Sequence, residues 1–170
     1  WAFFPAVSVG WRIDKESFMQ NIRQINVLKL RGSVGEMGNQ AIGNYEYLMS
    51  VLASKDYNYS FSDVLAGGAA IKDFVDENIS WETTRTYNLG LDFEAFDHRL
   101  LFSVDLYKKR TEGILRDVKI PAQIGNLNGP KQNIGVVAND GIELNLQWRS
   151  TIKNFHYSLG GNFCYNKNIV

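Results

Sequence analysis

Residues 81–94, WETTRTYNLGLDFE, decide the fold class. Large or apolar side chains alternate with polar ones along this stretch, so Leu89 and Leu91 share one parity while Asn88 and Asp92 share the other. Successive side chains of a β-strand point to opposite faces, whereas an amphipathic helix repeats every 3.6 residues. The stretch therefore predicts a strand with one apolar face and one polar face.

The same alternation recurs elsewhere and predicts an all-β, antiparallel protein of about six strands. The further strands are expected at 28–34, 100–109, 142–149 and 155–166, with a weaker first strand at 3–12. Pro5 lacks a ladder donor and therefore suits a strand start or an edge.

One short helical patch is expected between the first two strands. Asp14 can cap a helix in which Phe18, Ile22 and Ile25 fall at helical spacing on one side. We interpret this patch as a connector of two or three turns.

The lengths of the connections favour a transmembrane β-barrel. The segments 37–80 and 111–138 are long, whereas 95–99 and 150–154 are tight. In an antiparallel order the long connections emerge at one end and the short ones at the other, as in outer-membrane barrels with long extracellular loops and short periplasmic turns. Long loops are uncommon in compact soluble domains.

Aromatic residues fall at the expected strand ends. They lie beside the short connections and near the long ones, and comprise Trp11, Phe93, Phe96, Trp148, Phe155, Trp81 and Tyr165. Amphipathic rings collect at membrane interfaces, so two belts suit a barrel wall. The alternative is that these rings plug the ends of a soluble sandwich.

Arg85 fits the lipid-facing parity poorly. An arginine at the bilayer midplane costs about 2–4 kcal/mol. We therefore expect its strand to project beyond the hydrocarbon, with Lys108 and Arg110 outward at the same end.

Composition excludes several classes of protein. The 170 residues carry 18 basic and 18 acidic side chains, so bulk charge does not favour nucleic acid or an anionic membrane. A single cysteine, Cys164, excludes an internal disulfide framework. Because the chain starts without Met and ends inside a predicted strand, we expect it to be a segment of a longer protein.

Several short motifs resemble the SusC/RagA family of TonB-linked (TonB-dependent) outer-membrane transporters. In family order they are PAVSVGWR at 5–12, LKLRGSVG at 28–35, GNQ at 38–40, IGNY at 42–45, WETT at 81–84, YNLGLD at 87–92, FSVDLY at 102–107, NDGIEL at 139–144 and the stretch 162–170. Together they span nearly the whole chain.

The resemblance implies a role in a large machine. The family has a barrel of 22 strands closed by a plug domain, pairs with a SusD-like surface lipoprotein, and imports oligosaccharides or peptides with energy from the TonB complex. Residues 1–170 would then be part of the barrel domain, in contact with outer-membrane lipid, and the plug and N-terminal domains would lie outside this sequence. The cell outer membrane is the expected location.

Two groups of residues are candidates for substrate contact. Loop aromatics stack well on sugar faces, and they are Tyr45, Tyr47, Tyr57 and Tyr59, although they could equally pack against a lid protein. The lumen-facing candidates are Glu82, Asn88, Asp92, Asp105, Tyr107, Glu143, Asn145 and Arg149. Polar wall residues of a plugged barrel chiefly bond to the plug and to water, which is the alternative role for this second group.

No motif indicates enzyme chemistry, a cofactor or a metal. The sequence has no nucleophile elbow, HExxH or phosphate-binding loop, and His98 and His156 lack metal-ligand spacing. Asp73, Asp76 and Glu77 lack the order of a calcium loop, and a solvated acidic stretch is the favoured interpretation. The functional alternatives left open are a glycan-binding surface β-sandwich and a TonB-dependent receptor for iron chelates.

Overall fold

The computed structural model describes residues 2–71, 73–124 and 128–170 and divides them into two compact units. The first unit contains the chain up to Gly38, Thr83–Thr111 and Val136–Val170. The second contains Asn39–Glu82 and Glu112–Gly135.

Eight strands account for most of the described chain. They are β1 Ala6–Arg12, β2 Ile25–Asn39, β3 Val51–Phe61, β4 Val64–Ile71, β5 Glu82–Ala95, β6 Leu100–Asp117, β7 Lys131–Ile152 and β8 Phe155–Ile169. Six of them form one sheet in the order β1-β2-β5-β6-β7-β8, and β3 pairs with β4 in a separate sheet. The predicted all-β class and the six-stranded wall are confirmed.

Strand register gathers the apolar side chains of the first unit on one face. Trp11 of β1 lies opposite Leu30 of β2, and Leu144 of β7 lies opposite Phe163 of β8. Residues directly opposite each other in an antiparallel pair share a face, so each such row is apolar across the pair. The alternation seen in each strand is therefore continued from strand to strand.

Hydrogen bonds between side chains and between backbone groups mark the register of the central strands. Thr84 and Thr111 share a hydrogen bond of 2.9 Å between β5 and β6, and the Arg149 amide donates to the Arg99 carbonyl at 2.7 Å between β7 and the turn before β6. Asn145 donates to Ser103 at 3.5 Å in the same β6–β7 register. Polar residues thus face polar residues from β5 to β7.

Two tight turns join neighbouring strands where the sequence predicts short connections. Phe96, Asp97 and His98 have φ of 57°, 54° and 60°, and the Arg99 amide closes that turn on the Phe96 carbonyl at 3.2 Å. Lys153 has φ of 54° in the turn between β7 and β8. A left-handed residue suits the two-residue loop between β7 and β8, because its twist matches that of the flanking strands.

The predicted helical connector is wrong. Residues 13–15 and 17–19 form two single 3-10 turns, and Ile25 already begins β2. The Asp14 carboxylate caps no helix; it accepts hydrogen bonds from Arg12 Nε at 2.7 Å and from the Leu28 amide at 3.1 Å. These bonds hold the pKa of Asp14 well below its usual range and tie the connector to β2.

The extent of the long connections is also corrected. β6 continues to Asp117 and β7 begins at Lys131, so the predicted loop 111–138 shrinks to 118–130. The predicted loop 37–80 contains the β3–β4 hairpin, whose turn residues Ser62 and Asp63 have φ of 48° and 66°. Ser-Asp replaces the Asn-Gly pair that normally signals such a turn, which is why the hairpin escapes a motif search.

The apolar face has no covering layer of side chains within the first unit's described residues. Leu89 is 50% exposed, Leu146 53% and Phe163 57%, and Ala95 is the only buried apolar side chain among the residues described. A soluble sandwich of this length would bury many large apolar side chains. The sandwich alternative is therefore not supported. In the described chain, no helix is long and apolar enough to cross a membrane.

Candidate functional site

The polar face of the first unit carries an ion cluster at its centre. Arg31 of β2 donates from Nε to Asp92 of β5 at 3.0 Å and from Nη2 to Asp105 of β6 at 2.8 Å. Gly90 makes room for the guanidinium, because a Cβ there would lie 2.6 Å from Arg31 Cζ. One arginine thus links three neighbouring strands of the wall and neutralises half of the charge of two carboxylates.

Arg31 was not among the candidate residues derived from sequence. The alternation of the sequence does indicate its place, since Arg31 shares the polar parity of Ser33 on β2. Sequence alone did not show that β5 and β6 place two aspartates beside it, because that depends on strand order and register. Asp92 and Asp105, both expected on the polar face, are brought together by this arginine.

Apart from Glu82, the other predicted lumen residues have the parity of this face but form separate small groups. Asn88 donates to Ser33 at 3.2 Å, and Arg149 donates to Gln147 at 2.7 Å. Tyr107 lies across Gly141, where a Cβ would come within 2.4 Å of its ring. Glu143 is the register partner of Cys164 on β8.

A shallow cavity of about 650 Å³ opens on the same face. Asp92, Ser103, Asn145 and Gln147 contribute polar groups to its lining, and Gly160 on β8 adds backbone. Amides, a hydroxyl and a carboxylate offer both donors and acceptors to a polar partner. Donors and acceptors thus lie side by side in this part of the polar face.

Glu82 belongs to the second unit and has a structural role there. Its carboxylate accepts from Asn39 Nδ2 at 3.0 Å and from the Leu115 amide at 3.1 Å. These bonds join the ends of β2, β5 and β6, so its oxygens are already engaged. Of the predicted lumen residues, Glu82 is the one whose hydrogen bonds most clearly serve the fold.

The four predicted loop tyrosines fall in two places of the second unit. Tyr45, 70% exposed, and Tyr47, 46% exposed, lie in the segment before β3. Tyr57 and Tyr59 lie on β3, and Tyr59 packs edge-on against Phe61 with ring centroids 5.2 Å apart. The hairpin therefore presents a pair of adjacent aromatic rings.

A second cavity, of about 370 Å³, lies in the second unit beside Tyr45. Lys131 donates from Nζ to Glu46 Oε1 at 2.6 Å, and this bond raises the pKa of Lys131. Asn128 Nδ2 donates to Asp73 Oδ1 at 2.6 Å at the rim. Glu46 Oε2 is buried without a hydrogen-bond partner among the described residues, so the cavity keeps one acceptor available.

The described residues include no group of three or more histidine, cysteine, aspartate or glutamate side chains placed to hold a metal ion. Asp73 bonds to Asn128, and Asp76 accepts from the Asn78 amide at 2.9 Å. The acidic stretch of the loop is thus engaged in local turns.

Comparison with known proteins identifies the family. The sequence model of one protein family, the TonB-dependent receptor-like β-barrel, matches residues 1–170. The chain belongs to this family.

Curated relatives within the family agree along the whole chain. The chain is 37% identical over 172 residues to TonB-dependent receptor P39 of Formosa agariphila, which covers 100% of this chain and 16% of that protein. It is 34% identical to TonB-dependent receptor SusC of Bacteroides thetaiotaomicron, covering 100% of this chain and 17% of that protein. The chain thus spans about a sixth of the length of these relatives, and the resemblance to the SusC/RagA type is confirmed.

Solved structures of the family show the same arrangement of strands. The RagAB peptide importer in its open-open state superposes with a TM-score of 0.83 at 32% identity, covering 98% of this chain and 18% of that chain. Its closed-closed state gives a TM-score of 0.80 at 30% identity. The open six-stranded sheet therefore matches a segment of a receptor barrel. The relatives are named as receptors and importers, in agreement with the prediction that this chain is not an enzyme.

Proposed function

We propose that this chain forms part of the wall of an outer-membrane β-barrel that imports nutrients with energy from the TonB complex. The observation that carries the proposal is the family match over residues 1–170, which coincides with a sheet that has one apolar and one polar face. Residues 1–170 then belong to the barrel domain. The rest of the importer, including its plug domain, lies in other parts of the protein.

The apolar face supports placement against membrane lipid. Leu89, Leu146 and Phe163 are half exposed on it, and a lipid environment leaves such side chains in an apolar medium. Backbone groups in lipid must be paired within the protein, which only a closed barrel achieves for strands. The edge strands β1 and β8 would therefore pair with further strands of the same protein.

Oligosaccharides or peptides are the proposed cargo, with a SusD-like surface lipoprotein as the partner. The relatives that support this proposal are SusC and the RagAB peptide importer. We assign the loop aromatics Tyr45, Tyr47, Tyr57 and Tyr59 to cargo contact, because flat rings combine apolar area with a polar tip. The polar wall around Asp92 and Asn145 would contact the plug and transiently the cargo.

Uptake by cells tests the transport proposal. Cells whose gene for the full-length protein is deleted should lose uptake of a labelled oligosaccharide or peptide and regain it with the intact gene. Uptake should stop when the TonB complex is deleted. Uptake of an iron chelate instead would favour the iron-receptor alternative, and uptake that ignores TonB would contradict the proposal.

The role of the loop tyrosines needs its own variants. In the full-length protein, Tyr45→Ala with Tyr47→Ala should weaken cargo binding while the protein keeps its heat-modifiable mobility in gels. Tyr157→Ala on β8 removes a ring from the turn end of the sheet and serves as the matched control. Unchanged cargo binding in the loop variant would contradict this assignment.

A further inference from the structure

The cavity beside Tyr45, which lies wholly within the second unit, carries an excess of negative charge. Its volume is about 370 Å³, near the lower end of the range of about 300–1,000 Å³ for small-molecule sites, so it suits a small ligand or a single side chain. Carboxylates of Glu46, Asp73 and Asp117 line it, and Lys131 is the one cation among its described lining residues. We call it the acidic cavity.

One of the two carboxylate oxygens of Glu46 has no donor. Oε1 accepts a hydrogen bond from Lys131 Nζ at 2.6 Å, whereas Oε2 is buried and has no hydrogen-bond partner in the described part of the chain. A buried carboxylate oxygen without a donor has lost the hydrogen bonds that water would give it, and this loss destabilises the ligand-free state. A ligand that brings a donor to Oε2 would restore a hydrogen bond there.

The surroundings of Glu46 allow a ligand to reach this oxygen. Glu46 lies in a turn closed by the Leu48 amide, which donates to the Tyr45 carbonyl at 2.9 Å, and its carboxylate packs against Gly43, where a Cβ would overlap it. Tyr45 and the side chain of Lys131 line the same cavity and are both exposed. Because exposed side chains change rotamer readily, either can turn into solvent and open a path without a change in the backbone.

The rest of the lining favours an organic cation over a metal ion. Leu48 and Phe74 offer apolar contact in the same cavity, and the ring of Tyr45 adds an aromatic face that attracts a cation. No three carboxylate, histidine or cysteine side chains of the described chain are placed to hold a metal ion. An ammonium or guanidinium group on an apolar stem makes use of both the negative charge and the apolar lining.

We propose that the acidic cavity binds the cationic end of a lysine or arginine side chain of a cargo peptide. The inference rests on the proposed function, and it narrows the cargo at this site to peptides that carry a basic residue. The cation donates a charge-assisted hydrogen bond to Glu46, and the charges of Asp73 and Asp117 add attraction. The apolar stem of the bound side chain packs on Leu48 and Phe74. A neutral oligosaccharide would leave the excess negative charge unpaired.

Binding of two matched peptides to the full-length protein, purified in detergent, tests this proposal. Both peptides are short, acetylated at the N-terminus and amidated at the C-terminus, and they differ at one central position that is lysine in one and norleucine in the other. Isothermal titration calorimetry should show about tenfold tighter binding of the lysine peptide, the difference expected for one charge-assisted hydrogen bond. Equal affinity for the two peptides would overturn the proposal.

Three variants locate the effect in the acidic cavity. Glu46→Gln should lower the affinity for the lysine peptide about tenfold and leave that for the norleucine peptide unchanged. Glu77→Gln is the matched control, because Glu77 is an exposed glutamate of the same unit that does not line the cavity, and it should bind both peptides as the unaltered protein does. Lys131→Met removes the competing cation beside Glu46 and should raise the affinity for the lysine peptide severalfold. Equal effects of Glu46→Gln and Glu77→Gln would overturn the proposal.

Competition identifies the kind of cation that the cavity takes. Butylammonium chloride carries the cationic end and apolar stem of a lysine side chain, so it should displace the lysine peptide from the unaltered protein. Calcium chloride at the same ionic strength should displace it much less. Displacement by calcium as effective as that by butylammonium would indicate a metal site and would overturn the proposal.

Cell uptake separates this proposal from the transport proposal. If TonB-dependent uptake of a labelled cargo persists while the lysine and norleucine peptides bind equally, the acidic cavity proposal is overturned and the importer stands. If the lysine peptide binds more tightly but uptake ignores TonB, the cavity remains a site for basic peptides and the transport proposal fails. Heat-modifiable mobility reports whether each variant folds. If a variant does not fold, the peptide pair on the unaltered protein still decides.

Discussion

The structures of the two units of the chain depend on different features of the sequence. In the first unit, alternation of side chains along each strand determines which face a residue occupies, and the register extends each face across neighbouring strands. In the second unit, side-chain to backbone bonds, such as that from the Leu115 amide to Glu82, and a short separate hairpin shape the structure. We therefore expect the first unit to be most sensitive to changes of polarity and the second unit to steric changes beside its backbone.

The ion pairs of the two units show the same contrast. Arg31 contacts two aspartates from two other strands of the wall, with all three side chains about one-third exposed. Lys131 contacts Glu46 alone, and its side chain is 47% exposed. We expect the first group to matter more for stability, because exposed isolated pairs contribute little.

The largest effect should come from charge on the apolar face of the wall. Leu89→Arg in the full-length protein should destabilise the barrel by about 2–4 kcal/mol near the membrane midplane, and Asn88→Arg on the polar face should be milder. Leu144→Arg and Asn145→Arg should repeat the contrast on β7. Folding yield and urea unfolding in lipid vesicles measure it. Greater damage at the asparagines would mean that the two faces are exchanged.

A smaller but sharper effect is expected in the hairpin of the second unit. A Cβ on Gly68 would lie 1.8 Å from the Tyr57 carbonyl oxygen, whereas one on Gly67 meets nothing within 4 Å. Gly68→Ala should therefore destabilise the hairpin by about 1–3 kcal/mol, and Gly67→Ala should be nearly neutral. Hydrogen exchange over 51–71 measures the local opening. Equal protection in both variants would show that the hairpin backbone can shift freely.

Removal of the central arginine should cost less than charge on the apolar face. Arg31→Ala leaves Asp92 and Asp105 facing each other without a cation, and we expect a loss of about 1–2 kcal/mol in unfolding free energy. Adding Asp105→Asn to that variant should recover part of the loss, because it removes the repulsion. Urea titrations of the four members of this double-mutant cycle give the coupling. Strict additivity would mean that the cluster does not act as a unit.

The smallest effect should be that of Glu46 and Lys131, and it should depend on pH. The hydrogen bond that Lys131 donates to Glu46 raises the pKa of Lys131. The pair's contribution is therefore complete below the ordinary lysine pKa of about 10.4 and is lost as the pH rises through the raised value. Glu46→Gln should cost less than about 1 kcal/mol at neutral pH. Stability measured from neutral pH upward should converge for the two proteins in strong base. A difference that widens there would contradict the assignment.

Much of the wall could be predicted from the sequence. Leu89, Leu91, Asn88 and Asp92 alternate without interruption, so strand existence and facing follow from a period of two. The extension of β7 back to Lys131 also had a signal, since Ile134, Val136 and Ala138 continue the same parity. Glycine and asparagine residues in this stretch interrupt the alternation and obscure the strand pattern.

The local connector shows where such patterns mislead. Phe18, Ile22 and Ile25 have helical spacing. The Asp14 carboxylate, however, accepts hydrogen bonds from Arg12 and from the Leu28 amide and so does not cap a helix, and Ile25 is the first residue of β2. A short helix is marginal in isolation, so contacts with a long strand override it.

By itself the sequence determined that this protein is an antiparallel sheet with one apolar and one polar face, because side-chain parity is a property of the extended chain and requires no partner. Only the tertiary structure decided which polar residues meet. Arg31 is 61 residues from Asp92 and 74 from Asp105. Strand order and register set these meetings, and both depend on pairing energies between segments far apart in sequence.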